Sequence, residues 1–503
     1  MTPKKEIIMK SKRIITILIL VTMFITMVPL AATAADTVPY DTYVYDHWEY
    51  IVFTPAPYIP GQTISGISLE IGAFSDPQGI FVDHNDVVYI ADTGNSRIVI
   101  LEPDLHTVRD VIETFDNNGR QDTFDKPRGI AVTTDGIVYI ADTENRRVLA
   151  LDGNEVIKVI SNPQNEMLGE NFDFVPLKVT VDYAGRVFVI ARNMFQGIMT
   201  FDHDGEFIGF YGTINVTISL WQRFWRALST QEQRARQVLF IPTEFTGLDV
   251  DPAGFVYASN IDATGEQAVR RLNPKGEDVL RKGVNEHVGG DILMFPASPS
   301  AFSGPSNIID VTYRGNGMYS LLDSRRGRIF TYDYEGNLLY IFGGMGQQAG
   351  TFRLPTAIAS QSDKVLALDA FRNELITFEQ TLYGELINSA VSLRYDGDEA
   401  KAVETWHQVL TLNENFELAN AGIGKAFLTA GDNESAMYYL RLGMDRQHYS
   451  IAFRRWRNEI LKENIGWILT VVVGGIFGYV VIRTVVRKRR GYIAADEGGA
   501  FDA

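Results

Sequence analysis

A sequence block that recurs fifty residues further along is the strongest constraint on the fold of this chain. Residues 77–101 and 127–151 both start with Pro-x-Gly-Ile, continue through a turn into Val-Tyr-Ile-Ala-Asp-Thr, and end with an Asn-x-Arg segment. Two matches at one offset over this length indicate a repeated structural unit.

Weaker copies of the block begin near residues 176, 247, 309 and 355. Each copy is a series of short β-branched and aromatic runs separated by tight turns, which predicts about four strands per unit. Units of about 40–50 residues with four strands are typical of propeller blades. The sequence therefore predicts a mainly β fold, a six-bladed β-propeller over residues 64–380. We expect residues 64–72 to supply the fourth strand of blade six and so to close the ring.

The segment from Pro127 to Val148 resembles the NHL repeat, through its Pro-x-Gly-Ile, Val-Tyr-Ile-Ala-Asp-Thr and Asn-x-Arg strings. The resemblance implies a six-bladed propeller that acts as a binding module. Some NHL propellers bind RNA, but the net charge of −16 disfavours nucleic acid as a partner here.

A second repeat follows the propeller, because Gly397-Asp398 recurs thirty-four residues later as Gly431-Asp432. This is the period of tetratricopeptide (TPR) repeats, each of which is a pair of helices. Residues 384–463 are therefore predicted to form a TPR-like helical domain. Two repeats are few for independent stability, so we expect this domain to pack on the propeller or on a partner.

Both ends of the chain predict an extracytoplasmic protein with a membrane anchor. Residues 1–35 combine a basic start, an uncharged apolar run and an Ala-rich cleavage site, as in a signal peptide, and an uncleaved anchor is the alternative. Residues 36–63 are an N-terminal extension. Residues 465–486 are apolar enough for a single transmembrane helix, and the basic residues that follow predict that the tail, residues 487–503, is cytoplasmic.

The composition excludes several kinds of chemistry. The chain has no cysteine, which rules out disulfides, zinc–thiolate sites and thiol nucleophiles. No Gly-x-Ser-x-Gly, His-Glu-x-x-His or P-loop motif occurs. We therefore identify no catalytic residue, and the sequence favours a protein that is not an enzyme.

Polar residues end the second strand of each predicted unit. An Asp-x-x-Asn-x-Arg signature at this point in units one and two suggests either ligand or metal binding or a hydrogen-bonded clamp between blades at a loop tip. The six terminal residues are a candidate channel ring, and its carboxylates could hold a cation such as Ca²⁺. The alternative is that they are solvated turn residues; otherwise we expect no cofactor. The ring residues are Asp92, Asp142, Arg192, Asn260, Asp323 and Asp369.

A helical insertion at residues 213–240 separates units three and four. It carries one apolar stripe with Arg residues on its flanks, a combination that suits protein interfaces, and burial within this chain is the alternative. The candidate partner-binding residues are Trp221, Phe224, Trp225, Arg223 and Arg226.

The sequence thus favours a membrane-anchored binding or scaffold protein whose partner is another membrane protein, for example a solute-uptake transporter. Two alternatives stay open. One is a metal-dependent hydrolase or lyase in the propeller channel, as the fold resemblance to lactonases implies, and the other is a carbohydrate-binding module that uses exposed aromatic residues.

Overall fold

The structure, a computed structural model, describes residues 38–168, 172–213, 244–262, 267–283, 288–291 and 304–497. The predicted signal peptide and most of the 213–240 insertion lie outside these residues. Short strands dominate the chain up to residue 380, as its alternating apolar and turn-rich sequence predicts. The strands are β1 (Tyr43–Tyr45), β2 (Ile51–Phe53), β3 (Tyr58–Ser65), β4 (Gly79–Val82), β5 (Val88–Asp92), β6 (Arg97–Leu101), β7 (Val108–Ile112), β8 (Thr114–Asp116), β9 (Gln121–Thr123), β10 (Pro127–Val132), β11 (Val138–Asp142), β12 (Arg147–Asp152), β13 (Glu155–Ile160), β14 (Pro176–Val181), β15 (Val187–Ala191), β16 (Ile198–Phe201), β17 (Phe207–Tyr211), β18 (Phe245–Val250), β19 (Val256–Asn260), β20 (Val269–Leu272), β21 (Ile308–Tyr313), β22 (Tyr319–Asp323), β23 (Arg328–Tyr332), β24 (Leu338–Phe342), β25 (Pro355–Gln361), β26 (Lys364–Asp369) and β27 (Glu374–Gln380).

These strands form six antiparallel blades, which confirms the predicted six-bladed propeller. Blades one, three and five are the four-stranded meanders β4–β7, β14–β17 and β21–β24. Blade two is β10–β13 with the small hairpin β8–β9 at its outer edge, and blade four has three strands, β18–β20, in the described residues. The innermost strands contact one another in blade order, from β4 through β10, β14, β18, β21 and β25 back to β4.

The ring is closed by an N-terminal strand. Strand β3 pairs antiparallel with β27 and completes blade six, so closure by a strand from the N-terminus is confirmed. The position of that strand was wrong, because it is Tyr58–Ser65 and not 64–72. Residues 66–72 form a turn in which the amides of Leu69 and Ile71 donate to the carbonyls of Ser65 and Gly66. Leu69 and Ile71, which resembled strand residues, instead pack the core beneath this turn, and Ile67 is exposed.

Glycine in the repeated Pro-x-Gly string is explained by the crowded centre of the ring. A methyl group on Gly79 would overlap the carbonyl oxygen of Arg128 in blade two. A methyl group on Gly129 would lie 2.7 Å from the Cα of Lys178 in blade three. Real Cβ atoms do not approach backbone this closely, so glycine is required where adjacent inner strands touch.

The segment before β3 is an ordered part of the fold. The hairpin β1–β2 lies against blade five, and the hydroxyls of Tyr43 and Tyr45 donate to buried Asp291 at 2.7 and 2.6 Å. Arg328 of blade five donates to the other oxygen of Asp291 at 2.6 Å. The predicted N-terminal extension therefore fastens the chain to blade five.

In the described residues, five helices follow the propeller and pack in sequence, each against the next. They are α1 (Leu382–Tyr395), α2 (Glu399–Leu412), α3 (Glu417–Ala430), α4 (Asn433–Leu442) and α5 (Arg446–Glu497). The repeated Gly-Asp pair has the same role twice. Gly397 and Gly431 both have φ of +86°, and Asp398 and Asp432 cap α2 and α4 by accepting backbone N–H bonds.

One apolar core joins the helices to the propeller. It contains Phe342 and Phe378 of blades five and six together with Ile387 of α1, Trp406 of α2 and Ile423 of α3, all buried. The two parts of the chain are therefore packed together, which agrees with the expectation that so few helical repeats need support.

Helix α5 leaves this domain and continues into the apolar segment. Its first turns are packed, with Ala452 buried against Leu428 and Leu440. Further on, side chains such as Trp467 and Phe477 are 70% exposed. In the described part of the chain this is the one helix long and apolar enough to span a membrane, by length and composition.

Candidate functional site

The Asp-x-x-Asn-x-Arg signature is a structural clamp. In blade one, Asp92 is fully buried and accepts from the Ser75 amide at 2.6 Å, from Asn95 at 2.8 Å and from Arg97 at 2.7 Å. In blade two, Asp142 accepts from the Asp125 amide at 2.8 Å and from the corresponding Asn and Arg side chains. The carboxylate thereby ties the turn after the second strand to the segment that enters its own blade.

The threonine that follows each of these aspartates links neighbouring blades. Thr93 donates to the carbonyl of Pro127 at 2.6 Å, and Thr143 donates to that of Pro176 at 2.8 Å. The repeated motif thus serves the cohesion of the ring, since it connects blade one to blade two and blade two to blade three.

The six candidate channel-ring residues are placed away from the channel. Asp323 and Asp369 are fully buried and accept backbone amides of their own blades, as the aspartates of blades one and two do. Asn260 bonds the Gln267 carbonyl, and Arg192 pairs with Glu144 at 3.3 Å. None of the six lines the central cavity. The second strand lies one position away from the axis, so its end faces a loop of its own blade.

The residues that face the axis are on the innermost strands. In each blade, the residue two positions after the Pro of the Pro-x-Gly string, or after the residue equivalent to that Pro, lies closest to the axis and faces the equivalent residues of the other blades. These positions hold Gly79, Gly129, Lys178, Gly247, Asp310 and Ala357. Four are small and two are oppositely charged. This arrangement could have been found in the sequence, as a departure from the Pro-x-Gly string in units three and five.

Lys178 and Asp310 join blade three to blade five inside the ring. The Lys178 Nζ lies 3.0 Å from Asp310 Oδ2, and the amide of Ile358 in blade six donates to the same oxygen at 3.1 Å. Burial raises the pKa of the Asp310 carboxyl, while the Lys178 ammonium opposes that rise. The pair is therefore a buried ion bridge that connects three blades.

A cavity of about 340 Å³ adjoins this ion pair. All six blades contribute to its wall, and its polar lining includes Thr180, Asp249, Thr312 and Ser360 together with the ion pair. The turns that hold His84 and Pro252 lie at its mouth. Its size is at the lower end of the range for small-molecule sites, which is about 300–1,000 Å³.

Asp249 is the unusual group in this cavity. Its side chain accepts the amides of Val250 at 2.8 Å and of Tyr313 at 2.7 Å. In the residues that the structure describes, no Lys, Arg or His lies within ion-pair distance of it. Burial raises the pKa of Asp249 to about 6, and the neighbouring Asp310 adds to the rise. Sequence reasoning missed this residue, because an Asp on an inner strand has no motif of its own.

A second charged cluster lies where the helices meet blade five. Glu335 accepts from Lys425 of α3 at 2.7 Å and from Arg394 of α1 at 3.2 Å. Burial disfavours the ionised form of Glu335, but these two cations outweigh it and lower its pKa. Asp445 completes the cluster through His448 at 2.7 Å. Its members satisfy one another, so this cluster fixes the orientation of the helices on the propeller.

The candidate partner-binding residues at 221–226 lie outside the described residues. Within the described ranges, no group of three or more His, Asp or Glu side chains is placed to hold a metal ion.

Comparison with known proteins supports the propeller. The NHL repeat model matches residues 74–101 and 124–151. No curated protein was found to match the sequence. Among solved structures, virginiamycin B lyase from Staphylococcus aureus is 10% identical, with 64% of this chain and 99% of that chain covered and a TM-score of 0.40. Kuenenia stuttgartiensis hydrazine synthase is 12% identical, with 65% and 99% covered and a TM-score of 0.38. A putative gluconolactonase is 14% identical, with 65% and 94% covered and a TM-score of 0.37.

Proposed function

We propose that this protein is a membrane-anchored extracytoplasmic binding protein that presents its propeller and TPR-like helices to a neighbouring membrane protein. The observation that carries the proposal is the continuity of α5. The helix is packed against Leu428 and Leu440 at its start and becomes an exposed apolar rod by Trp467. Because the helices share a core with blades five and six, the propeller is held at a fixed place relative to that rod.

Such a tether favours a partner in the same membrane. A tethered binding domain meets its neighbour at a high effective concentration, so a modest interface is sufficient. The stripe of Trp221, Phe224 and Trp225 in the insertion, with Arg223 and Arg226, is the surface that we assign to this partner. A solute-uptake transporter is the partner class that we propose, because it is an abundant membrane complex with extracytoplasmic subunits or loops.

Membrane orientation can be tested with single cysteines, since the natural chain has none. Asp363→Cys lies on an exposed turn of blade six, and Asp502→Cys lies in the tail. A membrane-impermeant maleimide should label the first variant in intact cells and the second only after permeabilisation. Labelling of the tail in intact cells, or of neither variant before lysis, would contradict the proposed topology.

The partner surface requires a separate experiment. Full-length protein purified from membranes should retain an integral membrane protein that a W221A/F224A/W225A variant loses. A matched control replaces three exposed apolar residues elsewhere, Tyr183, Ile208 and Phe371, which are 79%, 53% and 63% exposed. Equal recovery of the same protein by the insertion variant and the natural chain would remove the insertion from the interface.

A further inference from the structure

The channel cavity carries chemistry that a protein-binding role does not use. It is enclosed by six blades, and the Lys178–Asp310 pair lies in its lining. A protein partner that docks on the surface of the propeller would contact few of these groups. The composition of the lining therefore indicates a ligand that is smaller than a protein and can enter the cavity.

The first indication is a charge imbalance. Lys178 compensates Asp310 at 3.0 Å, which leaves Asp249 without a cation in the described part of the chain. The other titratable groups of the wall are Tyr313 and, at the mouth, Asp83 and His84; Asp83 accepts the amides of Asn85 and Val87 in its own turn. A half-buried carboxylate that faces a cavity without a counter-charge is stabilised when a cation joins it.

The second indication is an unused hydroxyl. Thr180 lines the cavity and is 2% exposed, yet its hydroxyl has no hydrogen-bond partner among the described residues. Ser360 contributes a further hydroxyl to the same wall. A hydroxyl that lines a cavity and has no partner in the protein is available to a ligand or an ordered water.

The type of cation follows from the donor set. A Ca²⁺ ion takes six to eight oxygen ligands, and both Asp249 oxygens already accept backbone amides. An ammonium group has only three donors and no need of a full oxygen shell. One carboxylate and one or two hydroxyl oxygens are enough to satisfy it. An anion is disfavoured, because the one ammonium of the lining is already paired with Asp310.

We propose that the channel cavity binds a small organic cation through a primary ammonium group, with Asp249 as its counter-ion and Thr180 and Ser360 as hydrogen-bond partners. The volume of about 340 Å³ limits the ligand to the size of an amino alcohol or an amino sugar. This site is independent of the proposed protein partner.

Matched probes can test the charge requirement by isothermal titration calorimetry of the full chain in detergent. Ethanolamine, ethylene glycol and glycolate have nearly the same size but carry positive, zero and negative charge. Glucosamine and glucose form a larger pair of the same kind. We expect saturable binding of ethanolamine or glucosamine, and no binding of glycolate, ethylene glycol or glucose.

Substitutions then test the assigned residues. Asp249→Asn should weaken ammonium binding roughly tenfold to a hundredfold, as expected for loss of a charged hydrogen bond. Thr180→Val, which keeps the shape, should weaken it by a smaller factor. Asp135→Asn is the matched control, because Asp135 is an exposed turn residue outside the cavity.

Three outcomes would overturn the proposal. They are the absence of binding by both ammonium probes, unchanged binding in a folded Asp249→Asn variant, and binding of glycolate in preference to ethanolamine. Failure here would leave the co-purification result untouched, since that experiment depends on the insertion. If Asp249→Asn does not fold, the Thr180→Val variant provides the test. Unchanged ammonium binding by a Thr180→Val variant with a normal melting temperature would contradict the proposed site.

Discussion

Asp249→Asn should stabilise the protein at neutral pH, although it removes one of the two oxygens that accept backbone amides. In the folded state burial raises the pKa of Asp249 from 3.8 to about 6. The folded carboxyl therefore holds its proton more tightly than the unfolded one does. Stability falls as the pH rises from about 4 to about 6, and the whole loss is present above pH 6.

The magnitude follows from that difference. The difference between the folded and the unfolded pKa of Asp249 corresponds to about 3 kcal/mol, by which the ionised carboxylate destabilises the folded state at pH 7.5. Asparagine cannot ionise, so the variant escapes this cost. It has only one acceptor oxygen for the amides of Val250 and Tyr313, and loss of one such bond costs about 1 kcal/mol. The variant should therefore gain about 2 kcal/mol at pH 7.5 and almost nothing at pH 4.5.

Thermal unfolding of the full chain in detergent, followed by calorimetry at both pH values, measures this effect. We expect a higher melting temperature for Asp249→Asn at pH 7.5 and nearly equal temperatures at pH 4.5. The control Asp135→Asn should match the natural chain at both. A difference between variant and natural chain that is the same at both pH values would refute the reasoning, because it would show that ionisation of Asp249 has no energetic role.

Three further predictions concern the framework. Gly129→Ala should lower the free energy of unfolding by about 3 kcal/mol, because the added methyl group meets the backbone of blade three. Gly136→Ala is the control: the space around Gly136 is open and its φ is +88°, so the substitution should cost only about 1 kcal/mol. Urea unfolding of both variants measures the two values. Deletion of residues 58–65 exposes the edge of β27 and should lower the melting temperature sharply, and an unchanged melt would contradict closure of the ring by this strand. Glu335→Gln should cost about 2 kcal/mol and increase hydrogen exchange in α3, because buried Lys425 loses its closest carboxylate charge. Protection equal to that of the natural chain would contradict a role in docking.

The sequence was sufficient for the blades because each blade repeats a local pattern. Alternating apolar residues and tight turns specify a four-stranded meander wherever they occur, and the fifty-residue offset gives the order of the blades. The closing strand was misplaced for the same reason. Ile67, Leu69 and Ile71 alternate as in a strand, whereas β3 contains Pro60, which has no amide for the ladder and is tolerated within an outermost strand.

Radial position was harder to predict than blade order. Asp142 and Lys178 both lie in repeated segments, yet one is clamped within its blade and the other faces the axis. A repeat alignment shows which residues are equivalent but not which of them reach the centre of the ring. The channel ring was therefore assigned to the strand ends that carry the most obvious motif.

The departures from the repeat are better guides to function than the repeat itself. Blades one, two, four and six place Gly79, Gly129, Gly247 and Ala357 at the crowded centre, where small size is all that packing requires. Blades three and five place Lys178 and Asp310 there, at a desolvation cost that smaller residues would avoid. Asp249 and the 213–240 insertion lie between Lys178 and Asp310 in the sequence. Since packing alone would favour small or apolar residues at the axis, these charges point to a role in binding, and the calorimetric test of the cavity addresses that role directly.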